Sequence, residues 1–187
     1  MENQLIPTPF CYNPKQVRAI ILGADPSNFS DGGKRKILNK VFGIGDGDPR
    51  YFQGILKNLK EVGLGFEDIY VDNLIQDYLD FETSKNKNWG VIAKQNIPLC
   101  LKRLDKIDKK RKLPVLLTTE AIYKVICPNK PISAKQFYSM NESIPIPSFE
   151  NELKRPIIPF YRHQKYSLAS PHHSDYKSKT IEILQSS

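Results

Sequence analysis

Four short stretches of this chain carry side chains that do chemistry, and each comes at or just after a run that reads as a strand. Gly-Ala-Asp-Pro-Ser stands at 23–27, Asp-Asn at 72–73, Thr-Thr-Glu at 118–120 and Pro-His-His-Ser-Asp-Tyr at 171–176. A carboxylate such as Asp25 can orient a water molecule or face a developing cation. A neutral imidazole such as His172 can donate to a developing anion. The carboxamide of Asn73 offers a donor and an acceptor together, which suits the edge of a base. The same residues have plainer uses. Asp before Pro is a good turn former and helix cap, and an Asn at a strand end can bond a loop backbone.

Other clusters point to less. His163, His172, His173 and Asp175 lie near one another in the chain. Their spacing matches no strong metal-ligand pattern, so no metal is expected. GIGDGD at 43–48 lacks the Lys-Ser/Thr of a phosphate loop, the GxGxxG spacing and the EF-hand ligand order, and reads as a loop before a helix. Cys11, Cys100 and Cys127 are far apart, with no CxxC. They form neither a disulfide framework nor a four-cysteine site.

Regular elements must hold these groups. VRAIILG at 17–23, IYVDNLI at 69–75, PVLLTTE at 114–120 and QKYSLASP at 164–171 read as four strands. The spacing predicts a helix over 48–65, with Asp48 as its cap, Pro49 at its first position and an apolar stripe of Ile55, Leu56, Leu59 and Val62. A second helix covers 89–107, where Pro98 begins or kinks a segment. A short helix follows Glu120, and SKTIEILQ closes the chain as another. The first 16 residues, with Pro7, Pro9 and Pro14, read as an extended arm. The region 128–160 reads as a Pro-rich, mostly irregular insertion with one short helix around 149–153, since six of the fourteen prolines fall in it. Alternating strands and helices predict a single α/β domain over 1–187: a three-layer α/β/α sandwich around a four-stranded parallel sheet. Ligands of such sheets bind beyond the carboxyl ends of the strands, where the four stretches lie.

Composition agrees with one folded domain. A chain of 187 residues can bury roughly 70% of its unfolded surface. Mean hydropathy is −0.45 and no run of 18 apolar residues occurs, so no transmembrane helix is expected. The amino terminus has no basic segment followed by a long apolar one, which makes the cytoplasm the default compartment. Twenty-eight basic residues against 20 acidic ones leave a net charge of +8, and a polyanionic partner suits that balance. The densest basic run, KRLDKIDKKRK at 102–112, reads as the solvated end of a helix.

Taken together and in order, these motifs resemble the uracil-DNA glycosylase superfamily over roughly residues 17 to 185. GADPS resembles the family's first motif, Gly-x-Asp-Pro-Tyr after a strand. VFGIGDGDPRYFQGILKNL at 41–59 resembles its Phe-containing segment, VDNLI its strand ending in Asn, and HHSDY at 172–176 its His-Pro-Ser-x-Leu motif. The resemblance implies a monomer that flips a base out of DNA and hydrolyses its glycosidic bond, with no metal or cofactor. Asp25 would position water and stabilise the cationic sugar, and His172 would hydrogen-bond the departing base. Phe42 would stack on the base and Asn73 would read its edge, with Gly23 and Ala24 beside it. Ser27 stands where the best-known members place a Tyr against the thymine methyl. Ser174 would hold phosphate with Lys177 close by, and Tyr176 stands where the family often puts an apolar wedge. The expected activity is excision of uracil or a related damaged base in DNA repair. Two other classes fit the same stretches: a catalytically silent nucleic-acid-binding module, and an enzyme acting on a small nucleoside or nucleotide.

Overall fold

A computed structural model describes residues 6–27, 34–46 and 50–186 of the 187. In chain order its main elements are β1 (Phe10–Cys11), β2 (Ala19–Gly23), α1 (Arg50–Glu61), β3 (Ile69–Asn73), α2 (Trp89–Ile107), β4 (Val115–Leu117), α3 (Glu120–Ile126), α4 (Ala134–Tyr138), β5 (Ile157–Pro159) and α5 (Ser174–Gln185). The expected capping role of Asp48 and Pro49 lies outside the described residues.

The architecture is mixed α/β, with the sheet order β1-β3-β2-β4-β5. The last four of these run parallel, and β1 pairs antiparallel with β3. Every residue of β2, β3, β4 and β5 is buried, which is why their sequences read as continuous apolar runs and not as alternation. Register aligns the strand ends: Gly23 pairs with Asn73, and Leu22 with both Asp72 and Leu117. The stretches after β2, β3 and β4 therefore emerge side by side.

The helices follow their apolar spacing. α1 buries Phe52, Ile55 and Leu59, and α2 buries Trp89, Ala93, Ile97, Cys100 and Leu104, each at steps of three or four. Pro98 sits inside α2 without ending it.

Two strand expectations are corrected. The sheet has a fifth strand, because part of the N-terminal arm joins it as β1. Thr8 of the same arm exchanges backbone hydrogen bonds with residues 39–41, just before Phe42. The strand expected at 164–171 lies instead at 157–159; Gln164–Tyr166 is a 3-10 turn. Pro156 and Pro159 made that stretch read as irregular, but β5 is the last strand in the order, where a proline is tolerated. Ile146 closes its outer side through two backbone hydrogen bonds to Ile157.

The Pro-rich region is more ordered than expected. It contains α4, capped by Ser133, and a 3-10 turn at Ser148–Glu150 where a helix around 149–153 was expected. Arg155 within it is fully buried, and donates to Asp105 Oδ1 at 2.7 Å and to the Asp108 carbonyl at 2.9 Å. Hydrogen bonds from Arg111, with help from Arg155, hold the Asp105 carboxyl below its ordinary range. This cluster fastens the region to the end of α2. No helix among the described residues is long and apolar enough to cross a membrane.

Candidate functional site

A cleft of about 370 Å³ opens at the carboxyl ends of β2, β3 and β4. Ala24, Asp25, Ser27, Phe42 and Asn73 all line it, so stretches up to 49 positions apart meet in one place. Further parts of the wall come from Glu82 and Thr83 of the β3–α2 crossover, Thr118 and Thr119 after β4, and Arg162 after β5.

Gly23 is the point where this wall is tightest. A Cβ there would stand 2.1 Å from Asn73 Oδ1 and 2.6 Å from Phe42 Cζ. Only a residue without a side chain lets the carboxamide and the aromatic ring come so close over the strand end. Phe42 itself has φ 59° and ψ 11°, a left-handed conformation rare for an aromatic residue. The N-terminal arm and a ring contact with Phe52, centroids 5.6 Å apart, hold it there. Strain of this kind collects at binding sites.

Asn73 is 3% exposed, and its carboxamide has no hydrogen-bond partner among the described residues; its backbone N–H donates to Asp72. A buried amide that lines a cleft with donor and acceptor both open is suited to a polar ligand. Strand alternation explains the Asp-Asn pair. Asp72 points to the opposite face, where Arg103 Nε donates to its Oδ2 at 2.8 Å. Burial pushes the Asp72 carboxyl above its ordinary range, and Arg103 works against that shift.

Asp25 is held by three donors. Oδ1 accepts from Ser27 N–H at 2.8 Å; Oδ2 accepts from the Thr83 hydroxyl at 2.5 Å and from Trp89 Nε1 at 2.8 Å. The carboxylate is thus fixed, with one lone-pair direction left for a water or ligand. Ser27 Oγ accepts from Leu79 N–H at 2.5 Å, which ties the β2 loop to the same crossover. Neither Thr83 nor Trp89 was singled out from sequence. Trp89 read only as the start of a helix, and nothing local marks Thr83.

The fourth stretch behaves differently. His172 is exposed and does not line the cleft; the residue that comes into it from the β5 side is Arg162. Arg162 N–H donates to the Thr118 carbonyl, extending the β4–β5 pairing. His173 turns inward, with Nδ1 2.9 Å from the Ser167 carbonyl oxygen. Tyr176 does not take the wedge position that the resemblance implied. It is fully buried, stacks on Tyr138 at 4.3 Å and donates to the Pro159 carbonyl at 2.5 Å, so it cannot enter a duplex. The reason is that α5 begins at Ser174, so Tyr176, Thr180, Ile183 and Leu184 form its inner stripe. Lys177 pairs with Glu61 at 3.1 Å, while Ser174 is exposed at the start of α5. Among the described residues, no group of three His, Cys, Asp or Glu side chains is placed to hold a metal ion.

No protein-family profile matches this chain, and no curated protein is significantly similar to it.

Proposed function

We propose that the protein is a DNA-repair glycosylase of the uracil-DNA glycosylase type, hydrolysing the bond between deoxyribose and uracil or a related damaged base. On this reading the parallel strands form the centre of the family's α/β/α sandwich. The observation that carries it is the arrangement over Gly23: the open carboxamide of Asn73 and the ring of Phe42 meet beside a fixed Asp25. A planar, hydrogen-bonding ring is the ligand that uses all three. Phe42 stacks on it, Asn73 pairs with its edge, and Asp25 faces the sugar carbon as positive charge develops. Asp25 needs no proton transfer for that role, because electrostatic stabilisation of an oxocarbenium-like sugar suffices. Release of free base from a uracil-containing oligonucleotide tests the reading. Absence of release from single- and double-stranded substrates carrying several lesions counts against it.

A second reading is a nucleic-acid-binding module without catalysis. Two observations favour it: three donors already engage Asp25, and His172 stays out of the cleft. Binding of the same oligonucleotides without base release selects it.

A further inference from the structure

We propose that residues 162–165 form a phosphate-binding rim at the mouth of the cleft, with Arg162 contacting the phosphate beside the nucleotide whose base enters. The inference rests on the reading of the cleft as a base pocket in a nucleic-acid-binding protein. It names a contact surface different from the 174–177 segment that the sequence suggested.

Charge selects the segment. Among the described residues that line the cleft, Arg162 is the one cation, against the carboxylates of Asp25 and Glu82. Arg-His-Gln-Lys at 162–165 is exposed throughout, in a chain of net charge +8. The base-contacting groups are deep, with Asn73 at 3% and Phe42 at 9% exposure. An exposed guanidinium at the mouth therefore meets the backbone of the strand and not the base. A guanidinium suits that task through its paired donors.

The backbone beneath is unusually well anchored for an exposed loop. Arg162 N–H bonds the Thr118 carbonyl at 3.1 Å. The Arg162 carbonyl packs against Gly54 of α1, where a Cβ would come within 2.5 Å of it. Asn58, 2% exposed, donates to the carbonyls of Tyr161 and Tyr166 and accepts from Leu168 N–H. His163 Nδ1 accepts from Lys165 N–H, and the Lys165 ammonium lies 5.5 Å from the Tyr166 ring centre. The loop is thus held on both flanks, so less order is lost when a phosphate is bound.

The test is a salt series on binding to a single-stranded oligonucleotide carrying one 2′-fluoro-2′-deoxyuridine, whose fluorine disfavours a sugar cation and so keeps the glycosidic bond intact. Arg162→Gln and Lys165→Gln are compared with Lys109→Gln, which removes the same charge beyond the far end of α2, about 28 Å of helix away from Trp89. Arg162→Gln should weaken binding up to about tenfold and flatten the log–log salt slope by about 0.7. Lys165→Gln should act in the same direction, and Lys109→Gln should leave the slope unchanged. The proposal is overturned if Arg162→Gln keeps the wild-type slope, if Lys109→Gln flattens it equally, or if wild-type protein does not bind at low salt. Salt-sensitive binding that depends on Arg162, without base release from a cleavable uracil oligonucleotide, supports the rim and counts against the glycosylase reading. Base release by a wild-type protein whose binding does not depend on Arg162 does the reverse.

Discussion

The indole N–H of Trp89 donates to Asp25 Oδ2 at 2.8 Å, joining the first residue of α2 to the loop after β2. Trp89 is the only tryptophan in the chain and is 4% exposed. The bond makes it a positioning residue for Asp25, along with the Thr83 hydroxyl on the same oxygen.

Trp89→Phe keeps an aromatic ring in place and removes that donor. A hydrogen bond to a charged group contributes about 1.5–3 kcal/mol, and the smaller ring adds a packing loss. Denaturant unfolding followed by circular dichroism should show at least this destabilisation. Unchanged stability would mean that the indole does not hold the carboxylate.

Gly23→Ala should damage the cleft more than the sheet. The added methyl meets Asn73 Oδ1 and Phe42 Cζ, and one of them must move. Overpacking of this kind costs about 1–3 kcal/mol. Binding of a uracil oligonucleotide should fall with it, because the groups displaced are those that face the base. A variant that binds as the wild type does would show that the carboxamide is elsewhere when ligand is present.

Base release should separate the cleft from the last loop. Asp25→Ala and Asn73→Ala should each slow it by about 10²–10³, the cost of removing one preorganised electrostatic contact. His172→Ala should change it little, because His172 does not line the cleft. Single-turnover rates decide this. A large loss with His172→Ala would require the loop at 171–173 to move inward on binding.

Alkaline pH should destabilise the fold. Burial holds the phenols of Tyr138, Tyr161 and Tyr176 above their ordinary range. In the unfolded chain they ionise near pH 10, whereas in the folded chain they stay neutral. Their contribution is therefore complete below about pH 10 and is lost as pH rises beyond it, by up to about 1.4 kcal/mol per pH unit for each. Unfolding free energies measured between about pH 8 and pH 11 should fall in this sense, and less steeply in Tyr176→Phe. Phenolate absorbance from these residues in protein that is still folded would contradict the prediction.

The sequence alone determined the elements whose signal is local. Buried parallel strands are continuous apolar runs, and β2, β3 and β4 fall within the predicted segments. The stripe and Trp-to-Ile limits of α2 were equally legible, since a 3.6-residue period needs no knowledge of the partner. Asp25 and Asn73 stood out because they sit at or just after strand ends, which register brings side by side, whereas Phe42 was marked only by the resemblance of its segment; all three line one cleft. Tertiary structure alone decided the rest, because those features depend on groups distant in the chain. β1 exists only through its pairing with β3, and β5 forms despite its prolines because it lies at the end of the sheet and its outer side bonds Ile146. Tyr176 matched a wedge position by motif order, but α5 turns it onto Tyr138. The two side-chain donors to Asp25 come from 58 and 64 positions away, and a backbone bond to Thr118 holds Arg162 beside the cleft. Side-chain type and local period show which groups are available; which of them meet depends on strand order and burial.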